Sequence, residues 1–445
     1  MASEWCLYKL GDLVEIKHGF AFKSEHFSDE PTNDILLTPG NFAIGGGFKY
    51  DKLKYYRGEV PPGFILQPGD LLVTMTDLSK QSDTLGYPAF VPDTPGKRFL
   101  HNQRLGLVQI RSHAPLEKPY LYYLMCSREY RHEIIASATG TTVKHTAPHR
   151  IKTFAFSLPS QQEQRGIAHI LGSLDDKIEL NRQMNETLEA MAQAIFKSWF
   201  VDFDPVRTKA EGRDPLSACG HAKAGGLPDE IAALFPDSFQ DSDLGEIPKG
   251  WEPSTIGSDF NLTMGQSPPG KTYNETGDGL PFFQGRRDFG FRFPTNRIYC
   301  TSPKRLADHG DTLVSVRAPV GNINMAMTQC CVGRGVAGIR HKSGSRSYTY
   351  YAMHTLSDKF ARFEAEGTVF GAINKKQFED LRWLSPPGDL VNEFEKIAFP
   401  LDERIEKNSN ETITLASLRD TLLPKLISGE LRVPDAEKFV EEAGI

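Results

Sequence analysis

Apolar residues recur at steps of three and four along two long stretches of the chain, a spacing that places them on one face of a helix. The first stripe covers residues 167–199, and Ser160 with Glu163 forms a capping box that predicts a helix start near Gln161. The same stripe returns 227 residues later, over residues 394–426. Because the steps follow a heptad pattern, the two helices are predicted to pair as an antiparallel coiled coil.

The seam of these helices is the candidate coiled-coil and subunit-interface surface. Asn181 and Asn408 hold equivalent polar positions in it, and such residues set register at a cost in stability. Pro400 falls inside the second stripe, so the second helix is expected to start or kink there. Trp199 and Phe200 are expected to join an exposed apolar patch that a partner covers. The seam residues are Ile167, Leu171, Leu174, Ile178, Asn181, Leu188, Trp199 and Phe200 in the first helix, and Leu401, Ile405, Asn408, Leu415 and Leu422 in the second.

The segment before each helix alternates short apolar and polar runs broken by Gly and Pro turns, which is typical of a mixed α/β domain. Strand-like runs at 71–75 and 105–110 precede a helix pattern at 120–135; in the second half, a strand-like run at 310–316 and a helix pattern at 348–363 repeat this order. The predicted fold class is α+β, with two mixed α/β heads joined by two long helices that form an antiparallel coiled coil, in a pseudo-twofold internal repeat. In an alternative arrangement, each helix packs only on its own head.

The register of the repeat divides the sequence into matching segments. Gly19 recurs 246 residues later as Gly265, and Pro159 recurs 227 residues later as Pro386. A repeat of this length indicates two domains and not a solenoid. The predicted segments are a first head over 1–158, a first long helix over 159–202, a linker over 203–245, a second head over 246–385, a second long helix over 386–430 and a C-terminal tail over 431–445.

Composition narrows the class of protein without naming a reaction. The chain has 445 residues and no apolar run of the roughly 18 residues that a membrane span needs, so we expect a cytoplasmic protein. Its six cysteines show no CxxC pair and no His-rich spacing, so no metal site is predicted. The formal charge of −6 argues against a uniformly basic nucleic-acid coat but is compatible with local basic patches.

Two motifs have the spacing of catalytic signatures without their context. GQSPPGKT at 265–272 matches a phosphate-binding loop, but the residues before it are too polar for a buried strand and those after it cannot sustain a helix. The two SPPG motifs carry glycine where amino-methyltransferases need an aromatic ring. We therefore predict no catalytic residue, and we expect Lys271 and Thr272 to lie on a surface turn.

The remaining polar chemistry suits DNA. Arg, Asn and Gln can read guanine and adenine edges with paired hydrogen bonds, while Lys mainly contacts phosphate. For any single residue, a solvated surface position is the alternative interpretation. The candidate DNA-binding residues are Lys23, Lys49, Lys54, Arg57, Arg98, Asn102, Gln103, Arg104, Lys144 and His145 in the first head, and Lys271, Thr272, Gln284, Arg286, Arg287, Arg292, Arg317 and Arg334 in the second.

Three segments in the helices and their flanks are the most specific: FKSWFVDFDPVRTK at 196–209, LPSQQEQRGIAHILGSLDDKIELN at 158–181 and LRDTLLPKLISGELRV at 418–433. In these segments, the sequence resembles the specificity subunit of type I restriction-modification enzymes. It implies that each head is a target recognition domain for one half of a split double-stranded DNA sequence. It also implies that the paired helices set the distance between the half-sites and dock two methyltransferase subunits.

The same resemblance implies a non-catalytic chain without a cofactor of its own. S-adenosylmethionine, ATP and Mg²⁺ are expected in partner subunits, which methylate adenine and, with motor-nuclease subunits, cleave DNA. Two other functions stay open from sequence: recognition beside a fused methyltransferase-nuclease of a type II system, and a coiled-coil protein-interaction scaffold without DNA binding. Co-purifying subunits would distinguish the first, and a lack of salt-sensitive DNA binding would favour the second.

Overall fold

The computed structural model describes residues 5–77, 79, 81–141, 143–212, 227–365, 371–442 and 444. The chain forms two compact units. Unit 1 consists of Met1–Leu180 with Glu411–Ile445, and unit 2 consists of Asn181–Asn410. Each unit therefore contains one head together with one half of each long helix.

The first head, in unit 1, is built from short strands with helices near its end. Its elements are β1 (Cys6–Lys9), α1 (Leu10–Leu13), β2 (Val14–His18), β3 (Phe27–Ser28), β4 (Asp34–Leu36), β5 (Lys54–Tyr56), β6 (Ile65–Leu66), β7 (Leu71–Thr74), β8 (Thr76–Asp77), β9 (Pro88–Phe90), β10 (Arg98–Leu100), β11 (Leu105–Ile110), α2 (Lys118–Cys126), α3 (Arg128–Ala136), β12 (Lys144–His145), α4 (Pro148–Ile151) and β13 (Ala155–Leu158). Its four-stranded sheet has the order β2-β11-β7-β9, and its five-stranded sheet has the order β3-β5-β4-β10-β6.

The first long helix and the segment after it connect the two heads along the chain. The first long helix is α5 (Gln161–Phe200), which begins where the capping box predicts. It is followed by α6 (Asp204–Ala210), α7 (Asp229–Ala232), β14 (Phe239–Ser242) and β15 (Gly245–Pro248). The region predicted as a linker thus holds helices and a hairpin, and its residues 213–226 lie outside the described part of the chain.

The second head, in unit 2, has the same plan, and the second long helix follows it. Its elements are β16 (Glu252–Thr255), α8 (Ile256–Asp259), β17 (Phe260–Met264), β18 (Tyr273–Asn274), β19 (Leu280–Phe283), β20 (Tyr299–Cys300), β21 (Leu306–Ala307), β22 (Thr312–Val316), β23 (Val320–Met325), β24 (Cys330–Val332), β25 (Val336–His341), α9 (Arg346–His354), α10 (Ser357–Ala365), α11 (Lys375–Glu379) and β26 (Arg382–Ser385). Then come α12 (Gly388–Ser428) and α13 (Val433–Glu442).

Sheet topology confirms the internal repeat. The second head has a four-stranded sheet of order β17-β25-β22-β23 and a five-stranded sheet of order β18-β20-β19-β24-β21, which matches the first head strand for strand. In both five-stranded sheets one pair is parallel, β4 with β10 and β19 with β24. The strands β7 and β22 are buried at every position because each lies inside its sheet. The two heads are therefore versions of one fold.

The single helices predicted over 120–135 and 348–363 are wrong, because each region folds as two helices. In the first head, Ser127 has an extended backbone, and its side-chain oxygen accepts a hydrogen bond from the Tyr130 N–H at 3.3 Å. A serine that caps a new helix in this way ends the previous one. In the second head, α9 ends at His354 and α10 begins at Ser357.

Within each unit, the halves of the two long helices run antiparallel. In unit 1, Arg419 Nη1 lies 2.8 Å from Asp175 Oδ1, and Lys177 Nζ lies 3.6 Å from Glu411 Oε1, so the numbering rises on one helix as it falls on the other. In unit 2, the amide of Asn408 donates to Asn185 Oδ1 at 2.9 Å. The predicted antiparallel coiled coil is confirmed, and the alternative in which each helix packs only on its own head is wrong.

The seam is buried mainly as predicted, with two corrections. Trp199 and Phe200 are only 1% and 9% exposed, since they pack in the core of unit 2 against Phe235 and Phe394. They do not form a free apolar patch. The helix α12 runs from Gly388 to Ser428 through Pro400, so the predicted start at Pro400 is wrong, and the alternative of a kink there stays a prediction.

Most other seam positions are buried in one unit or the other. Ile178, Leu188 and Leu401 are half-buried. The fully buried apolar ones are Ile167, Leu171, Leu174, Leu415 and Leu422 in unit 1, and Ile405 in unit 2. Asn181 and Asn408 are both 0% exposed, as a register-setting role requires.

The C-terminal segment closes the core of unit 1. The predicted tail contains α13, whose Ala436 and Val440 are buried in that core. Just before it, Arg432 Nε lies 2.7 Å from Glu163 Oε1 near the start of α5. A helix forms there because apolar residues on one face find a surface to cover.

Replacing Phe394 by alanine is expected to destabilise unit 2 by about 3 to 5 kcal/mol, because the ring is 0% exposed and its removal leaves a cavity. The matched control is Phe291→Ala, at a side chain of the same type in the same unit that is 53% exposed, with an expected change within about 0.5 kcal/mol. Urea unfolding followed by tryptophan fluorescence measures both free energies. Equal effects of the two substitutions would contradict this packing.

Candidate nucleic-acid interface

A concave surface of the first head brings together five of its ten candidate residues. It is a cavity of about 540 Å³ whose lining includes Lys49, Lys54, Asn102, Gln103 and Arg104. The sheet edge and the turns between strands bring these side chains together from positions more than fifty residues apart in sequence. The predicted clusters of residues 49–57 and 97–104 therefore contribute to one surface.

A glycine contact fixes the turn that carries three of these residues. Phe20 N–H donates to His101 C=O at 2.8 Å, and Gln103 N–H donates to Phe20 C=O at 2.9 Å. A Cβ on Gly19 would lie 2.1 Å from the carbonyl oxygen of Asn102, so only glycine allows this approach.

A local hydrogen bond orients the side chain of Asn102. Its Oδ1 accepts a hydrogen bond from the Arg104 N–H at 2.9 Å. An amide oxygen has two lone pairs, so one acceptor position remains on Oδ1 beside the NH₂ donors. Asn102 therefore keeps the donor and the acceptor that a paired contact with adenine needs.

The cationic side chains of the cavity are available for a ligand. Within the residues that the structure describes, Lys49, Lys54 and Arg104 have no carboxylate at ion-pair distance. Lys52, from the same lysine cluster, also lines the cavity. The ammonium of Lys54 lies 5.6 Å from the ring centre of Phe27, an additional aromatic lining residue. Such a surface combines phosphate-binding charges with an apolar contact.

One carboxylate organises the loop at the rim of this cavity. The buried Asp77 accepts hydrogen bonds from the Ser79 N–H at 2.6 Å and from the Thr84 hydroxyl at 2.8 Å. Burial opposes its ionisation, but these and further backbone hydrogen bonds outweigh burial and lower the pKa of Asp77. Asp77 therefore acts as a fixed anchor for the loop, and its lone pairs are occupied by protein donors.

Lys144 and His145 flank the cavity through the same loop. They form β12, in which Lys144 pairs with Asp77 and His145 pairs with Thr76. His145 Nδ1 lies 3.1 Å from Thr76 Oγ1. The predicted group around residue 144 is thus adjacent to the groups around residues 49 and 102.

The remaining candidates of the first head already have acidic neighbours. Arg98 makes a bidentate pair with Asp34, with Nε–Oδ1 and Nη2–Oδ2 both at 2.6 Å. Arg57 pairs with Glu30, and the exposed Lys23 has Nζ 3.7 Å from Glu25 Oε1. These three side chains do not line the cavity. A DNA phosphate could pair with them only if it replaced the carboxylate that each one contacts.

Loops in the second head converge at the equivalent place. Gly265 repeats the close contact of Gly19, since a Cβ there would lie 2.1 Å from the carbonyl oxygen of Gly333. Next along the chain, the Arg334 N–H donates to Ser267 Oγ at 3.2 Å. A Cβ on Gly335 would lie 2.3 Å from the carbonyl oxygen of Gln284. The loops bearing Gln284 and Arg334 are therefore in direct contact.

Exposed arginines surround this junction of loops. Arg286 and Arg287 lie in a short 3₁₀ helix after β19, and Arg286 Nη1 donates to Asn322 Oδ1 at 3.4 Å. Arg317 and Arg334 are exposed, and Arg317 directly follows β22. These four arginines are exposed and lie in the loops that meet at this junction.

Lys271 and Thr272 form a 3₁₀ turn, as predicted from the failed phosphate-loop context. The turn covers Gly270–Thr272, and its Thr272 hydroxyl donates to the Pro269 carbonyl at 2.7 Å. No helix follows it, because the next element is the strand β18. The geometry of a phosphate-binding loop is therefore absent from this described segment.

Arg292 is the candidate that the structure contradicts. It is 1% exposed, and its guanidinium is paired with Glu189 and Asp402 from the two long helices. Sequence composition alone placed it in a cationic surface cluster, but only the tertiary structure brings those two acids around it. It is a structural contact within unit 2 and not a DNA contact.

Metal-binding clusters and membrane-spanning helices would indicate other kinds of function. Across the described ranges, no three or more His, Cys, Asp or Glu side chains are grouped so that they could hold a metal ion. Likewise, no helix in the part of the chain that the structure covers is both long and apolar enough to cross a bilayer.

Comparisons with known proteins give consistent results. The family model for the type I restriction modification DNA specificity domain matches residues 2–190. A putative type I restriction enzyme MjaX specificity subunit from Methanocaldococcus jannaschii is 29% identical over 345 residues, covering 75% of this chain and 73% of the relative. The type I restriction enzyme HindI specificity subunit from Haemophilus influenzae is 28% identical over 364 residues, covering 70% of this chain and 77% of the relative.

A solved structure shares the fold. The type I restriction-modification system S subunit from M. genitalium matches with a TM-score of 0.55 at 17% identity, over 95% of this chain and 96% of that chain. This similarity confirms the predicted fold class of two mixed heads and two long helices.

Stability should depend on pH through His101, which lies beneath the turn of Asn102 and is 1% exposed. Burial lowers its pKa from 6.5 to about 4, although a hydrogen bond to the Leu105 carbonyl at 2.9 Å partly opposes the shift. The unfolded chain then binds a proton at higher pH than the folded chain. The free energy of unfolding is expected to fall by roughly 2 to 4 kcal/mol as pH drops from about 6.5 to about 4.

Urea unfolding of unit 1 at pH 7 and pH 4.5 measures this effect. His101→Gln should reduce the loss at low pH, whereas His132→Gln, at an exposed position on α3, should leave the loss unchanged. The same pH dependence in all three proteins would exclude His101 as the source.

Proposed function

We propose that the chain is a specificity subunit of a type I restriction-modification system and that its two heads each read one half of a split DNA target. The match to the type I specificity-domain model and the similarity to type I specificity subunits support this. One observation supports this most strongly: two heads of identical strand order each place a loop that carries an arginine, 101–104 after β10 and 333–335 after β24, against the equivalent glycine, Gly19 or Gly265. Duplicated reading surfaces of different composition suit two half-sites of different sequence.

The chemistry of the loops supports a division between positioning and reading. Lys49, Lys52 and Lys54 supply ammonium groups for phosphates, which fix the head on the duplex but do not distinguish bases. Gln103, Arg104 and the exposed arginines of the second head supply donors that can reach base edges in the major groove. The net charge of −6 is compatible with this because the two heads hold 36 of the 51 Lys and Arg residues but only 29 of the 57 Asp and Glu residues, so the acidic excess lies in the rest of the chain.

We further propose that the paired helices separate the two heads and dock two methyltransferase subunits. This chain would carry no catalytic residue or cofactor of its own. Adenine methylation from S-adenosylmethionine would occur in those partners, and ATP- and Mg²⁺-dependent cleavage would need motor-nuclease subunits. The complex would act on DNA in the cytoplasm. Neither alternative function, recognition in a type II system or a scaffold without DNA binding, is favoured, because the relatives are type I specificity subunits.

Methylation mapping tests the proposed function. DNA from cells that express this chain with its methyltransferase should carry methylated adenines in a split motif with one fixed gap, and cells lacking only this chain should not. Single-molecule sequencing measures the modification. Chain-dependent methylation of a continuous motif, or none while the methyltransferase is shown to be active, would contradict the two-headed reading.

Substitution of the cavity lysines should change the salt dependence of binding. For the complex of this chain with its methyltransferase, Lys49→Ala with Lys54→Ala is expected to weaken DNA binding and to reduce the slope of log K against log[salt] by about 0.9 for each lost phosphate contact. Lys118→Ala is the matched control, since this exposed lysine lies on α2 outside the cavity lining. Fluorescence anisotropy at several salt concentrations gives the slopes. An unchanged slope in the double variant would remove these lysines from the interface.

A further inference from the structure

The same tyrosine–aspartate contact joins a head to a long helix in each unit. In unit 1, the Tyr123 hydroxyl on α2 donates to Asp175 Oδ2 on α5 at 2.8 Å. In unit 2, the Tyr351 hydroxyl on α9 donates to Asp402 Oδ1 on α12 at 3.2 Å. The aspartates are 227 positions apart, which is the register of the long helices. The tyrosines are 228 positions apart, which is the separation between the starts of α2 at Lys118 and α9 at Arg346. The contact is therefore a feature of the repeated framework.

The head helices that carry these tyrosines, α2 and α9, are also held at their own N-termini by a side chain of the long helix. In unit 1, the side-chain oxygen of Gln164 accepts from the Glu117 N–H at 2.8 Å, directly before α2. In unit 2, the carboxylate of Glu395 accepts from the N–H groups of Arg346 and Tyr348, both at 3.0 Å, in the first turn of α9. Two polar contacts along each head helix fix its direction relative to the long helix, which one apolar contact would not do.

An arginine completes each tyrosine–aspartate contact, but it comes from a different element in each unit. In unit 1, Arg419 Nη1 on α12 lies 2.8 Å from Asp175 Oδ1. In unit 2, the arginine is Arg292, which reaches Asp402 from a loop of the head. The contact in unit 2 therefore connects a loop of the head directly to the helix pair.

Arg292 is surrounded by groups from three elements. Its Nη1 lies 3.3 Å from Glu189 Oε2 on α5 and 3.3 Å from the Tyr351 hydroxyl, and its guanidinium carbon lies 3.5 Å from the ring centre of Tyr350. Its side chain is 1% exposed and that of Asp402 is 2% exposed. A buried ionic cluster of this kind adds little net stability over an apolar one, but it accepts only one arrangement of its members.

The loop of Arg292 continues directly from the exposed arginines of the second head. The 3₁₀ helix with Arg286 and Arg287 ends four residues before Arg292. Between them, the backbone of Gly290 makes two hydrogen bonds with the side chain of Asn324, at 3.0 and 3.2 Å. The position of Arg292 thus determines where the start of this loop, and with it the proposed DNA-reading arginines, lies relative to the helices.

We propose that Tyr351, Asp402 and Arg292 are positioning residues that hold the second head at a fixed angle to the helix pair and so restrict the gap between half-sites that the protein accepts. This inference rests on the proposed function. A head held by a single arrangement reads its half-site at one distance and one rotation around the duplex. Loss of the contact allows the head to rotate, and a site with one base pair more or fewer in its gap then becomes readable.

The test uses the complete methyltransferase complex and DNA in which the two half-sites are unchanged and the gap is varied by one base pair in either direction. Tyr351→Phe removes one hydroxyl and keeps the ring, and Asp402→Asn removes the charge. Each is expected to raise methylation at the altered gaps, relative to the natural gap, by about fivefold, the factor that corresponds to the loss of one net hydrogen bond of roughly 1 kcal/mol. Base preference within each half-site should stay the same.

Two control variants keep the interpretation specific. Tyr299→Phe changes the same residue type in the same head, and Glu403→Gln removes an exposed carboxylate that lies next to Asp402 on α12. Neither should broaden the gap preference. If Asp402→Asn prevents folding, the milder Tyr351→Phe still carries the test, since it leaves the ion pairs of Arg292 in place.

Two outcomes would overturn the proposal. Equal loss of methylation at all gaps would show that the contact serves stability alone, and an unchanged gap profile in Tyr351→Phe and Asp402→Asn would show that it does not set the angle. The proposed function has its own readout in the unsubstituted protein. If that protein does not methylate a split motif at one gap, the two-headed reading itself fails, whatever the variants do.

Discussion

The antiparallel pairing of the two long helices is the interaction on which each unit depends. The first half of α5 packs with the second half of α12, and Leu171, Leu174, Leu415 and Leu422 join one buried core with the first head. In unit 2, Phe196 and Phe394 from the remaining halves do the same with the second head. The main core of each head is therefore completed by helices from two distant parts of the chain, beside smaller clusters that the head forms alone, such as the one with Phe42 and Phe99.

Sequence periodicity predicted the part of this structure that depends on local spacing. The capping box at Ser160 located the start of α5, and the matched glycines Gly19 and Gly265 turned out to occupy equivalent close contacts, each with a carbonyl oxygen 2.1 Å from a hypothetical Cβ. Such features are predictable because they depend on neighbours in sequence or on the absence of a side chain. The strand order of the heads could not be obtained this way, since the pairing of β4 with β10 joins segments about sixty residues apart.

The failures share a different physical cause. Arg292 has the residue type of a DNA contact, and Trp199 has that of an exposed docking residue, yet both are 1% exposed. Whether a charged or aromatic side chain is free depends on which groups tertiary folding brings to it. In the sequence, Glu189 lies more than a hundred residues before Arg292 and Asp402 more than a hundred residues after it. No local sequence pattern predicts that these acids contact the arginine. Similarly, the cavity of the first head was predictable as separate lysine and Asn–Gln–Arg clusters, but not as one surface with Asp77 at its rim.

The repeat separates what the two halves share from what distinguishes them. The two halves share the strand order, the close glycines and the tyrosine–aspartate contact between a head and a long helix. They differ in their loops, where lysines predominate in the first head and arginines in the second. They also differ in the element that supplies the arginine to the tyrosine–aspartate contact. A framework that is rigid at its joints can accept changes in its loops without changing where those loops are presented. Since the contact to the helices and the residues of the loops then vary independently, the loops of one head can change while the tyrosine–aspartate contact that joins that head to its long helix stays the same.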